Sequence, residues 1–76
     1  MTLKCRHAAR GDKTFNLSNL IPVTDFKNMY IAELNDAEVT IDKVRMFAMG
    51  KELKDDLWIY SYEIMNESTV QVMIKK

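Results

Sequence analysis

The chain has 76 residues, 47% of them hydrophobic and 29% charged, and its 11 Lys and Arg balance 11 Asp and Glu to a net charge of zero. That length admits one domain with a thin core, the composition suits a globular domain and argues against disorder, and the charge balance argues against nucleic acid or an anionic membrane as the main partner. The single cysteine, Cys5, excludes an intramolecular disulfide and a four-cysteine zinc site. No apolar run approaches the roughly 20 residues of a membrane span. A cysteine-poor domain of this kind is expected in the cytosol, the nucleus or both.

Thr2 to His7 alternates, with Leu3, Cys5 and His7 on one face, which predicts a half-buried strand. Gly11-Asp12 signals a turn, and Thr14 to Ser18 alternates again around Phe15 and Leu17, so the two runs predict a β-hairpin whose link is longer than two residues. Pro22 closes this region. Phe26, Met29, Tyr30 and Leu34 then fall on one helical stripe with Ile31 at its edge, predicting a helix over 25–35 capped by Thr24 or Asp25 and ended by Asn35-Asp36. Met29 and Met46 are expected in the core. Lys43 to Gly50 reads as a third strand, Gly50-Lys51 as a turn and Glu52-Leu53 as a very short strand. Asp55-Asp56 with Ile59, Tyr62 and Ile64 predicts a compact loop holding one helical turn, and Thr69 to Ile74 is a closing strand with Val70, Val72 and Ile74 inward. The order β-β-α-β-β-β gives an α+β class, with one main helix covering one face of a mixed sheet.

Residues 45–55 and the spacing Ile59-x-x-Tyr62-x-Ile64 carry a family resemblance. The run Gly50-Lys51-x-Leu53-x-Asp55, led by an Arg45-bearing strand and followed by Glu67-Ser68-Thr69, is similar to that of the ubiquitin-like domains. The first half matches in pattern more than in letters, through Met1, Lys13-Thr14 and Pro22. Residues 1–76 as a whole resemble one ubiquitin-like domain, which implies a β-grasp fold, a twisted mixed sheet holding one helix. Three departures stand out. The sequence ends Ile74-Lys75-Lys76 and has only Gly11 and Gly50, so the C-terminal Gly-Gly used by conjugated modifiers is missing. The loop after the helix carries Ala37-Glu38 in place of the family's usual glycine. The link between the first two strands is one or two residues longer.

Catalysis is not expected. Cys5 and His7 share a strand face that points to the predicted core, so they read as a small core residue and a strand-end histidine rather than a nucleophile–base or metal pair. Asp55-Asp56 reads as a solvated or capping pair. No cofactor and no metal are implied. The other sheet face is more informative. With Val44, Met46 and Ala48 inward, Arg45, Phe47 and Met49 point out, and Thr69, Gln71 and Met73 do the same on the last strand. The β-grasp topology makes these strands neighbours, so Phe47, Met49 and Met73 are expected to form an exposed apolar patch rimmed by Arg45, Gln71 and Lys51. Clustered apolar side chains of this size mark interaction sites, and methionine suits adaptable ones. The family's main recognition patch occupies this face, with Phe47 at its central apolar position. There Gln71 replaces the common His, Met73 a smaller aliphatic, and Ala8 or Ala9 a loop leucine.

The expected function is therefore a non-conjugated, monomeric ubiquitin-like interaction module of a larger protein in the ubiquitin/proteasome pathway. Its expected partner is a ubiquitin-receptor-type domain, with neither nucleic acid nor membrane involved. The alternatives are a patch packed permanently on a neighbouring domain of the parent chain, a Ras-type GTPase-binding domain using Lys4, Arg6, Arg10 and Lys13 along its second strand, or a modifier whose Gly-Gly tail has been trimmed. Lys51 also matches a lysine the family uses for chain formation.

Overall fold

The computed structural model describes residues 1–18, 20–62 and 64–75; the Lys76 of the sequence reading lies outside them. It is a small α+β domain with one α-helix and a mixed five-stranded sheet. The strands are β1 (Thr2–His7), β2 (Gly11–Asn16), β3 (Val44–Ala48), β4 (Lys51–Glu52) and β5 (Ser68–Ile74), and the helix α1 is Val23–Leu34. The sheet order is β2-β1-β5-β3-β4, with β1 and β5 parallel and the other neighbours antiparallel.

Alternation sets the faces. Leu3, Cys5, Phe15, Val44, Met46, Ala48, Val70 and Val72 are all buried on the side that α1 covers with Val23, Phe26 and Tyr30. The Phe15 ring meets the rings of Phe26 and Tyr30 edge-on, with centroids 5.9 and 6.1 Å away. This is the geometry favoured by the aromatic quadrupole, and it fastens the helix to β2. Met29 is only partly buried at the margin of this core, because the inward stripe runs Val23, Phe26, Lys27 and Tyr30.

Several boundaries differ from the expectation, each for a local reason. The β1–β2 link is Ala8–Arg10, and Gly11 already pairs with His7 at φ 78°, a left-handed conformation that glycine adopts without strain. His7 Nδ1 accepts the N–H groups of Ala9 and Arg10, both at 3.1 Å, and so holds the link from inside. The helix starts two residues before the expected point, and neither Thr24 nor Asp25 caps it. Pro22 is the N-cap residue, and among the described residues no side chain caps the first turn. Instead the Val23 N–H donates to the Leu57 carbonyl at 2.9 Å, and the Thr24 hydroxyl donates to the Asp55 carbonyl at 2.8 Å. A distant loop thus supplies the acceptor that a cap would provide locally. Asn35 ends the helix in the left-handed region, φ 51°, with its N–H on the Ile31 carbonyl, and Asp36 Oδ1 accepts the Glu38 N–H at 3.0 Å. The loop turns there without a glycine.

The β3–β4 turn lies one residue earlier than read. Met49 and Gly50 occupy it with φ 54° and 78°, and Lys51 pairs with Ala48, so Lys51 belongs to β4. Two consecutive positive φ values make a tight turn whose twist matches that of the strands. Beyond it, buried Leu53 donates its N–H to the Met46 carbonyl at 2.8 Å, and the Tyr62 hydroxyl accepts the Lys54 N–H at 2.7 Å. Ile59 is fully buried at the head of the 3-10 turn Ile59–Tyr62. Among the described residues no helix is long and apolar enough to cross a membrane.

Candidate protein-binding face

The face of the sheet turned away from α1 is built from the alternate positions. On β3 these are Arg45 and Phe47. Arg45 stands opposite Met73 on β5, and Phe47 stands between Gln71 on β5 and Glu52 on β4. Opposed residues share a face, so four of the six expected patch residues, Arg45, Phe47, Gln71 and Met73, come together, with Glu52 as an unforeseen fifth.

Phe47 is half-buried rather than open to solvent. Its cover is the Arg45 guanidinium, whose central carbon lies 5.1 Å from the ring centroid. Glu52 fixes that guanidinium from the other side, accepting from Arg45 Nε at 3.1 Å and from Nη2 at 3.0 Å. A planar fork engaged by two carboxylate oxygens is held in orientation as well as in position. The arrangement holds Glu52 below the usual carboxylate range, chiefly through the Arg45 hydrogen bonds, and raises Arg45 above its ordinary value for the same reason. The pair stays charged at neutral pH. Met73 is open, with 56% of its surface exposed.

Two expected members sit elsewhere. Met49 is exposed, but it occupies the β3–β4 turn, where the left-handed backbone breaks the alternation that placed it beside Phe47. Lys51 is opposite Ala48, an inward position, so it stands on the other parity from Phe47. The four cations of the alternative basic edge are dispersed too. Lys4 and Arg6 share the outer face, paired across the strands with Thr14 and Asp12, whereas Lys13 is opposite buried Cys5. Arg10 is tied to Asp36 at 2.9 Å. Arg6 lies 3.3 Å from Asp12. Cys5 is wholly buried, and burial pushes its thiol up to about 12.

Sequence reasoning missed two features. Lys27 is buried inside the helix face and lies 2.5 Å from Asp55, so one of the two loop aspartates is an ion-pair partner rather than merely solvated. Trp58 and Tyr60 are exposed with their ring centroids 6.1 Å apart. Lys27 occupies the inward helical stripe between Phe26 and Tyr30, and that position was the available signal. The aromatic pair lies in an irregular loop where no periodicity assigns a face. No protein-family model and no curated protein matches the chain.

Proposed function

We propose that the sheet-and-helix arrangement is a β-grasp fold and that the chain is a ubiquitin-like protein-interaction module. In this reading it docks on a ubiquitin-receptor-type domain through Phe47 and Met73, with Arg45 and Gln71 around them, and works in the ubiquitin/proteasome pathway of the cytosol or nucleus. The Gly50–Ile64 spacing and the order of the mixed sheet support the fold assignment. The observation that carries the function is the Phe47 ring, shared between the core-forming strand β3 and a solvent face, with Arg45 stacked on it and an open Met73 one strand away.

Physically, such a face suits docking. Phe47 and Met73 provide apolar area to remove from water at roughly 25 cal/mol per Å². Glu52 already holds Arg45 in place, so little side-chain freedom is lost when a partner covers it. The test is a titration of the isotope-labelled protein with a helical ubiquitin-binding domain, followed by amide shifts. The expected result is saturable perturbation centred on Arg45, Phe47, Gln71 and Met73. Absence of binding, or perturbation confined to the helix side, contradicts the proposal.

A further inference from the structure

A second exposed apolar feature lies away from the sheet face, where the loop after β4 meets the start of α1. Trp58 and Tyr60 are 43% and 50% exposed, with rings inclined at 35° to each other. Between them Ile59 is fully buried, and its N–H donates to the Ile21 carbonyl at 3.0 Å. Trp58 bridges Pro22, and its carbonyl accepts the Ser61 N–H at 3.0 Å. The backbone under both rings is therefore fixed. Two large apolar side chains flank a buried anchor and turn outward, leaving about half of each ring residue open to water.

The surrounding charge narrows what covers them. Asp55 and Asp56 precede the pair with only Leu57 between, and the Thr24 hydroxyl bond to the Asp55 carbonyl ties the first helical turn, which carries Asp25, to the same loop. Lys27 neutralises Asp55, while Asp25 and Asp56 have no ion-pair partner among the described residues. No lysine or arginine occurs in 20–26 or in 55–62. An aromatic pair stacks nucleobases as readily as cations, but free carboxylates beside it repel phosphate. A second copy of the chain is a poor occupant as well, since its three arginines, Arg6, Arg10 and Arg45, are each already paired with a carboxylate of their own chain. We propose that Trp58 and Tyr60, with Asp56 and Asp25 beside them, form a docking platform for an arginine side chain of a basic peptide segment in a partner protein. A guanidinium is the best match because it is flat, weakly hydrated, stacks on aromatic faces and forks to a carboxylate.

The experiment uses a short glycine–serine peptide carrying several arginines and its uncharged citrulline counterpart. Each is titrated into the labelled protein, following the Trp58 indole N–H, the Tyr60 amide and the fluorescence of this single tryptophan. The arginine peptide is expected to give saturable shifts centred on these two residues, with the citrulline peptide at least about tenfold weaker. Tyr60→Ala and Asp56→Asn should each weaken binding about threefold or more with an unchanged melting curve, while Phe47→Ala binds as the parent does. Equal binding of the citrulline peptide, shifts centred elsewhere, indifference to Tyr60→Ala, or tighter binding of oligothymidylate would each overturn the proposal. Because Phe47→Ala is the control here, failure of this platform and failure of the sheet-face reading are separable.

Discussion

Cys5 and Phe47 show how completely one residue's position in an alternating strand sets its chemistry. Cys5 points inward between Leu3 and the half-buried His7, and its raised pKa keeps the thiol protonated. Native Cys5 should resist alkylation and react once the chain is unfolded. The same shift ties stability to pH. The unfolded thiol ionises near its ordinary value of 9.0 while the folded one holds its proton to about 12. The contribution is thus complete below pH 9 and lost progressively as pH rises from there toward 12, because the unfolded state alone releases the proton in that window. Cys5→Ser melted in parallel should lack this alkaline component; an identical alkaline decline would assign it to other groups. Phe47 takes the opposite face, and both orientations were legible because period-two alternation needs only the strand to be recognised. What alternation does not report is company. That Arg45 covers the Phe47 ring depends on Glu52, which sits one turn further along the chain and opposite Phe47 across the hairpin.

Among the elements, the β3–β4 hairpin gives the clearest consequence. Glycine carries the second turn position, but Met49 holds the first at φ 54°, where a Cβ crowds the backbone. Asparagine tolerates that conformation, and Asn-Gly is a favoured pair for such a turn. Met49→Asn is expected to raise stability by about 0.5–1 kcal/mol, read as a higher midpoint in denaturant unfolding. A lower midpoint would mean that the Met49 side chain contributes packing the exposed geometry does not indicate. The sequence signal here was misread by one residue, because Gly50-Lys51 is an ordinary turn pair and nothing in the letters marks a methionine as left-handed. The helix start was misread for a different reason. Thr24 and Asp25 are good capping residues by local rules, but the acceptor for Val23 comes from Leu57, a tertiary contact that no local rule contains. Lys27 and Asp55 tie the same two segments a second time.

For the molecule as a whole, the legible part was the strand alternation, the helical stripe and the Gly50–Ile64 spacing, which together gave the α+β class and the element order found. Less legible was everything made by contacts between distant segments, including the clamp on Phe47 and the aromatic pair at the start of the helix. On the proposed reading, β3 divides a core face at Met46 from a docking face at Phe47. The most direct test is unfolding of Phe47→Ala and Met46→Ala, each followed by titration with a helical ubiquitin-binding domain. Met46 is fully buried, so its truncation should cost roughly 2–5 kcal/mol of stability through the cavity left behind. Phe47→Ala should cost only about 1 kcal/mol of stability, as the half-buried ring and its Arg45 contact are lost, yet weaken binding by about 2 kcal/mol or more. A Phe47→Ala variant that melts far below Met46→Ala would show the strand faces inverted, and one that folds and binds as the parent does would place the interface elsewhere.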